Sequence, residues 1–342
     1  MLLRLSLAVP AICLFLTGCA RAPQELALSG PTMGTTYSVK IAAPPAGIDG
    51  NTVRVTIEQV LDRIDRRMSG YRDDSTIARF NASTSTDWFA VPDDLVRVVN
   101  ESLKVAQLSQ GALDITVAPL VNLWGMGSAG PRTELPSDEE IAQAQKHVGY
   151  QMLETREHPP ALRKQVPQLT VDLNAVAPGY AVDLLYARFS SMGLANFMID
   201  IGGEVRARGR NARGDPWRIA VERPIDAQPE PYAIVQLDDR AVTTSGEYRH
   251  YVMHDGHRYS HTIDPRTGRP VEHTLASVVV VSRTALEADA WATALNVLGA
   301  DAGYALAQQR GMPVMFIVDE GGKLRSRMTL QFGGYLAVAP QE

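Results

Sequence analysis

Apolar residues recur every three or four positions in several stretches of the chain, which is the pattern of amphipathic helices. The first stretch follows Asn51, which we expect to be an N-cap, and another follows the capping-box pair Ser137 and Glu140. Gly111 and Gly193 follow two further stretches and favour left-handed helix ends. The predicted helices span residues 51–69, 93–110, 137–147, 179–192 and 285–298, with another from about residue 301.

Between these helices the pattern is mostly alternating, as in half-buried strands. Two extended segments are predicted near Ala27 and over residues 35–41, and more strands follow between residues 197 and 281. The latter are broken by Gly202-Gly203, Gly214-Asp215 and Asp255-Gly256, which predicts a meandering, largely antiparallel sheet. Helices and strands do not alternate regularly, so we predict an α+β fold and not a doubly wound parallel one.

The N-terminus differs from the rest of the chain. An apolar run from Leu5 to Leu16 follows Arg4 and ends in Leu16-Thr17-Gly18-Cys19, which resembles a bacterial lipobox. We predict a signal peptide over residues 1–18, a lipidated Cys19 with a tether over residues 19–26, and one domain over residues 27–342. The alternative is an ordinary signal peptide with an incidental cysteine.

This organisation predicts an envelope protein held on the periplasmic side by acyl chains, with the inner membrane favoured over the outer. The only other cysteine, Cys13, lies inside the predicted signal peptide, so the mature domain would have no disulfide. The chain has 342 residues, 45% of them hydrophobic, which is enough for a large core. Its formal net charge of −5 argues against nucleic acid as a partner.

Candidate chemistry is concentrated in the second half of the chain. Asp289 and Thr293 are four residues apart on a predicted helix, hence on one face, where they would suit Mg²⁺. The alternative, favoured on spacing alone, is a capping Asp with a Thr at the edge of the core. The run from Asp172 to Tyr180 leads from a strand into a helix, and either binds an anion or simply caps the helix.

Other motifs favour structural roles or no specific chemistry. The run from Asp200 to Glu204 lacks phosphate-loop spacing and predicts a tight hairpin or a bulge. His254 and His257 flank a predicted turn, which makes a zinc site there a poor interpretation. With no Gly-x-Ser-x-Gly motif in the chain, the remaining candidate base is His261, in the polar segment Ser260–Gly268.

Taken together, the motifs resemble the ApbE family of FAD:protein FMN transferases. The resemblance covers nearly the whole mature chain and is carried by several segments in order. They are Pro31–Thr35, Met68–Tyr71, Gly111–Gly125, Asp172–Asp183, Asp200–Glu204, Thr244–Gly246, Ser260–Gly268 and Glu287–Thr293.

The resemblance implies a T-fold-like architecture with an FAD cleft between two lobes. It also implies transfer of FMN from FAD, with Mg²⁺, to a Thr or Ser hydroxyl on a flavoprotein subunit of a membrane redox complex, releasing AMP. The implied metal ligands are Asp289, Thr293 and a backbone oxygen of Ala175. The implied FAD contacts are Met33, Tyr71, Ala112, Leu113, Asp114, Asp172, Pro178 and Ile263.

Three positions depart from the family pattern. Pro178 stands where relatives often have Lys or Glu, Leu113 replaces a common Phe, and Ala292 stands where some relatives carry a further Asp. We expect His261 to act as the base, with Asp264 as a candidate to orient it. The alternatives are a Mg²⁺-dependent FAD pyrophosphatase, a non-catalytic flavin-binding lipoprotein and a purely structural envelope lipoprotein.

Overall fold

The computed structural model describes residues 25–127, 130–225, 230–246, 251–254 and 256–341. The predicted signal peptide and Cys19 lie outside the described residues. Within these ranges the chain forms seven α-helices: α1 (Gly50–Met68), α2 (Thr76–Ala82), α3 (Asp93–Leu108), α4 (Ala118–Leu123), α5 (Asp138–Gln145), α6 (Ala177–Ser191) and α7 (Ala285–Gln309).

The strands of the same ranges group into one large sheet and several small ones. They are β1 (Glu25–Thr32), β2 (Thr35–Ala42), β3 (Phe89–Ala90), β4 (Leu153–Arg156), β5 (Ala161–Lys164), β6 (Phe197–Ile201), β7 (Glu204–Arg208), β8 (Trp217–Glu222), β9 (Pro231–Leu237), β10 (Arg240–Gly246), β11 (Tyr251–His254), β12 (His257–Ser260), β13 (Ile263–Asp264), β14 (Arg269–Pro270), β15 (Leu275–Ser282), β16 (Val314–Asp319), β17 (Leu324–Met328) and β18 (Leu336–Val338).

A central antiparallel sheet of eight strands organises the fold, in the order β1-β2-β6-β7-β10-β15-β16-β17. Its strands alternate in side-chain direction, so each contributes to two cores. On β10, for example, Ala241 belongs to a core shared with helices α1, α3, α6 and α7, whereas Val242 belongs to a core beneath the small sheet β18-β9-β8. The α+β prediction is therefore confirmed.

Most predicted elements are present, with differences at their ends. The N-cap of α1 is Asp49 and not Asn51, because the Asp49 carboxylate accepts the Thr52 N–H at 2.7 Å. The capping box of Ser137 and Glu140 is formed as predicted. The last two predicted helices form the single element α7, kinked at Gly299, which has a left-handed φ of 76°.

Three further observations concern the start of the first strand, two short helices and the length of the helices. Strand β1 begins at Glu25, so the last two residues of the predicted tether already belong to the central sheet. Helices α2 and α4 were not predicted, because each is too short to show a clear apolar repeat. Among the described residues, no helix has the length and apolar content needed to span a bilayer.

Candidate active site

Helices α6 and α7 cross at their first turns and hold each other there. The Asp289 carboxylate, on the second turn of α7, accepts the Gly179 N–H at 3.1 Å. The Asp183 carboxylate, on the second turn of α6, accepts the N–H groups of Ala285 and Leu286 at 2.9 and 3.0 Å. Each helix start thus places its free amide groups against a carboxylate of the other helix.

Only glycine fits at the crossing. A Cβ atom at position 179 would lie 2.6 Å from the Ala285 carbonyl oxygen and 2.9 Å from the Asp289 Cβ. Pro178 is compatible with the same turn, because an N–H at the start of a helix has no partner within the helix. The close approach of the two helices places the Asp289 carboxylate at the start of α6, directly after the turn that contains Ala175.

Two predicted metal ligands share one face of α7, and the third lies close to the start of α6. Thr293 is partly buried one turn after Asp289, and Ala175 lies in the turn just before α6, four residues before Gly179, whose N–H bonds the Asp289 carboxylate. A carboxylate, a hydroxyl and a backbone carbonyl are the oxygen ligands that Mg²⁺ prefers. Asp289 does not cap its own helix, whose N-cap is Thr284, but accepts an N–H at the start of α6.

The electrostatics of this place also suit a cation. Burial and then the negative charge of Glu204 raise the pKa of Asp289 well above its ordinary value. Burial likewise raises the pKa of Glu204 to about 8, and the charge of Asp200 adds to this shift. Buried carboxyls are costly to ionise without a positive partner, and a bound dication would offset that cost.

The central sheet contributes two residues that were not predicted as part of the site. The register pairs Val242 with Val205, so Thr243 and Glu204 come next on neighbouring strands and face the helices. Thr243 is buried, and its hydroxyl oxygen has no hydrogen-bond partner in the described part of the chain. Glu204 follows the two-residue turn Gly202-Gly203, which confirms the predicted hairpin.

The segment around His261 is attached to α7 near the predicted metal ligands. Asn296, seven residues after Asp289 and so on the same helix face, donates from its side-chain amide to the Thr262 hydroxyl at 3.4 Å. His261, the residue before Thr262, is partly buried. Ile263 packs with Leu120, Trp124 and Ile141 in a small core of its own, which fixes the other side of the segment. The two residues that follow His261 are therefore held in place, one by α7 and the other by this small core.

Asp264 pairs with Arg266. Its carboxylate accepts two side-chain hydrogen bonds from Arg266, both at 2.8 Å, and the Arg266 N–H at 2.9 Å. A guanidinium two residues away forms this two-point contact within one turn of the chain, so the carboxylate is already engaged. A role for Asp264 in orienting His261 stays a prediction.

A cavity of about 710 Å³ lies beside the α6 start. Its walls include Met33, Tyr71, Pro178 and Asn174, so three predicted FAD contacts share one cavity. Met33 occupies the tight β1–β2 turn with a left-handed φ of 48°, and the Tyr71 side chain is 69% exposed. A larger cavity of about 820 Å³, between α3 and the α7 start, contains none of the predicted site residues.

The remaining predicted contacts lie on two connected loops. Ala112, Leu113 and Asp114 are buried, and the Asp172 N–H donates to the Ile115 carbonyl at 2.7 Å, which joins their loop to the α6 approach. The Asp114 carboxylate accepts three internal hydrogen bonds, two from Thr116 and one from the Tyr150 N–H, at 2.7–2.8 Å. In this arrangement Asp114 holds the loop together.

Comparison with known proteins identifies the family. The ApbE family model matches residues 33–316. A Vibrio cholerae relative named FAD:protein FMN transferase is 42% identical over 91% of this chain and 93% of its own length. An Escherichia coli K12 relative of the same name is 38% identical over 96% of each chain. The chain belongs to the ApbE family.

Solved structures agree with this assignment to the ApbE family. The flavin transferase ApbE from Vibrio cholerae superposes with a TM-score of 0.85 at 40% identity, covering 92% of this chain and 100% of its own. The apo form of the Pseudomonas stutzeri flavinyl transferase ApbE gives 0.85 at 39% identity, covering 93% and 98%. The fold predicted from the family resemblance is therefore confirmed.

The residues present fit the groups that ApbE-family membership implies. Within the described ranges, no three His, Cys, Asp or Glu side chains converge as a metal site. The predicted Mg²⁺ ligands, however, include only one such side chain, Asp289, beside a hydroxyl and a carbonyl. The buried carboxyls and the unpaired Thr243 hydroxyl at the same place fit a hydrated cation, and the cavity next to it has space for part of a nucleotide.

Proposed function

We propose that this chain transfers the FMN part of FAD to a Thr or Ser hydroxyl of a target flavoprotein, forming a phosphoester and releasing AMP. Relatives that carry this activity in their names align along almost the whole chain. The observation that supports it most directly is the shared face of α7. Asp289 contacts the α6 start on this face, and Asn296 holds Thr262, next to His261.

We infer that Asp289, Thr293 and the Ala175 carbonyl hold Mg²⁺. When bound, the ion would neutralise negative charge on the pyrophosphate of FAD. The helix starts at the crossing aim further positive dipole ends at the same region. Met33, Tyr71, Pro178 and the loops of Asp114 and Asp172 would bind and orient the nucleotide.

His261 is the proposed base. The acceptor hydroxyl is a weak nucleophile at neutral pH, and removal of its proton by an imidazole at hydrogen-bond distance accelerates attack, typically by about 10²–10⁴-fold. The acceptor oxygen then bonds to the phosphorus on the flavin side of FAD. The bond from that phosphorus to the bridging oxygen breaks, and AMP leaves with the electron pair.

We also propose where the reaction occurs. The lipobox-like sequence ending at Cys19 supports a lipid anchor on the periplasmic side of the envelope, with the inner membrane favoured. An acceptor subunit of a membrane redox complex would be accessible from that side. Both proposals rest on the sequence pattern and on the family resemblance.

The test is mass spectrometry of a candidate acceptor after incubation with this protein, FAD and Mg²⁺. An added FMN mass on one Thr or Ser, with one AMP released per modified acceptor, is the expected result. Rapid AMP release without an acceptor would indicate an FAD pyrophosphatase instead. FAD binding with neither product would indicate a non-catalytic flavin carrier.

A further inference from the structure

The two ends of the central sheet carry different features. The strand register pairs Glu25 with Ala42 and Phe197 with Arg208, so the described chain begins at the same end of the sheet as the β7–β8 connection. The opposite end carries the Met33-Gly34 and Gly202-Gly203 turns, beside the candidate active site. The chain therefore begins at the end opposite the Met33 turn, which lines the candidate nucleotide cavity.

Arginines are concentrated at the end where the chain begins. The connection from β7 to β8 and its flanks contain Arg208, Arg210, Arg213 and Arg218, against the single carboxylate Asp215 in the range 208–218. Arg210, Arg213 and Arg218 are exposed, and none of the three forms an ion pair with any described residue. In a chain with a net charge of −5, this is a marked local excess of positive charge.

This arginine segment lies next to the first strand. Arg213 and Arg218 line the same groove as Glu25 and Lys40, on β1 and β2. Asp200 and Asp215 also line that groove, so its interior is balanced in charge. The excess comes from the exposed connection beyond the groove, where Arg210 is found.

A second group of arginines extends the positive surface across the same end. Arg240 opens β10 opposite Ala207, Arg283 follows the end of β15, and Arg310 closes α7 shortly before β16. The three line a cavity of about 500 Å³. The Arg310 guanidinium lies 5.1 Å from the Trp291 ring centre, and the carboxylate in this cavity, Glu287, accepts a hydrogen bond from the Ser282 hydroxyl.

The proposed lipid anchor would bring this end of the sheet to a membrane. Cys19 precedes Glu25 by six residues, and six extended residues span at most about 20 Å. We propose that the basic end, formed by Arg210, Arg213, Arg218, Arg240, Arg283 and Arg310, docks on the anionic headgroups of a phospholipid bilayer. Acidic side chains at this end, Asp238 and Asp239 on the β9–β10 turn, limit the docking surface on one side.

Docking in this orientation has a consequence for the reaction. Strand β1 has eight residues and is about 26 Å long, so the Met33 turn, which lines the nucleotide cavity, would lie at roughly that height above the bilayer. A single lipid anchor alone leaves a protein free to tumble on its tether, whereas a basic surface supplies the second attachment that fixes its orientation. The acceptor hydroxyl would then be presented from a domain that projects from the membrane.

The experiment measures binding to vesicles without the lipid anchor. A chain beginning at Ala20 retains every described element, and a solved relative is matched over its full length by 92% of this chain. We expect it to bind vesicles containing one third phosphatidylglycerol but not pure phosphatidylcholine, and to dissociate as salt is raised. Each arginine near an anionic surface strengthens binding about fivefold, so Arg210→Gln, Arg213→Gln and Arg218→Gln together should weaken it roughly 100-fold.

The matched control removes three exposed positive charges elsewhere, through Arg79→Gln, Lys146→Gln and Lys323→Gln, and should retain binding within a few-fold. Equal loss in both triple variants, equal binding to the two kinds of vesicle, or displacement by millimolar inorganic phosphate would overturn the proposal. FMN transfer to a soluble acceptor without vesicles should be unchanged in the 210/213/218 variant. A failure of membrane docking is therefore distinguishable from a failure of the proposed function.

Discussion

Asp183 and Asp289 make reciprocal contacts: each carboxylate lies on the second turn of one helix and accepts backbone N–H groups at the start of the other. Asp183 also receives a hydrogen bond from Arg206 on the sheet, at 2.6 Å. Among the described residues, Asp289 has no such cationic partner, and its pKa is raised well above the ordinary value by burial and by Glu204. The first carboxylate therefore has a structural role, and the second remains available for a cation.

The crossing should not tolerate a side chain at Gly179. In Gly179→Ala, the new methyl group would meet the Ala285 carbonyl and Asp289, so we expect the free energy of unfolding to fall by about 1–3 kcal/mol. Urea denaturation measures this change. Gly50→Ala, at the first turn of α1 with open space around it, is the control and should change stability by less than about 1 kcal/mol. Equal effects of the two substitutions would mean that the helices do not approach as closely as described.

The Asp289 carboxylate should determine the metal requirement. Asp289→Asn retains an oxygen that can accept the Gly179 N–H but removes the negative charge, so the fold should survive. We expect the Mg²⁺ concentration for half-maximal FMN transfer to rise by roughly 100-fold. Mn²⁺ binding followed by electron paramagnetic resonance gives a readout that does not depend on activity. Unchanged Mn²⁺ affinity would remove Asp289 from the ligand set.

Features that depend on residues close together in the sequence were predicted, whereas features that depend on the packing of distant elements were not. The capping box at Ser137 and the helix end at Gly299 were predicted because their determinants are local. The four-residue spacing of Asp289 and Thr293 was visible for the same reason. Asp183, Glu204 and Thr243 were missed as site residues, because only the packing of α6, α7 and the sheet brings them together.

Local pairing also explains why the Asp264–Arg266 pair was not predicted. In the sequence, His261 and Arg266 are almost equally close to this carboxylate, and nothing in the pattern distinguishes the two partners. The two-point hydrogen-bond geometry of a guanidinium decides the choice in favour of Arg266. The sequence can therefore predict that several polar side chains share one turn, but it cannot predict which of them form hydrogen bonds with each other.

His261 should affect chemistry and not binding. In His261→Ala we expect FAD affinity, measured by fluorescence quenching, to stay within about threefold, because the cavity walls at Met33 and Tyr71 are unaffected. The rate of FMN transfer should fall by roughly 10²–10⁴-fold. The loss should be smaller at high pH, where the acceptor hydroxyl depends less on a base. Normal transfer by this variant would exclude the proposed role.

The Glu204 carboxyl should lower the stability of the metal-free protein and strengthen its binding of a metal ion. Its carboxyl is partly buried, its negative charge raises the pKa of Asp289, and its own pKa is raised by burial and by the charge of Asp200. Glu204→Gln should therefore stabilise the metal-free protein, by on the order of 1 kcal/mol, while weakening Mn²⁺ affinity. Glu58→Gln, at an exposed position on α1, is a control with the same chemical change away from these carboxyls. If the 204 variant were destabilised and its metal affinity unchanged, Glu204 would be an ordinary structural residue.

Asp114 should make stability depend on pH in the acidic range. Burial raises its pKa in the folded protein, although hydrogen bonds from Thr116 and Tyr150 oppose the shift. The folded state therefore binds a proton more tightly than the unfolded state, and this carboxyl's contribution to stability falls as pH rises through the window above about 3.9. Asp114→Asn removes the titrating group. The free energy of unfolding of the wild type minus that of the variant should therefore decrease from pH 4 to pH 7. Urea denaturation at several pH values measures both free energies of unfolding. If the wild type instead became more stable relative to the variant as pH rose, the hydrogen bonds to Asp114 would outweigh its burial.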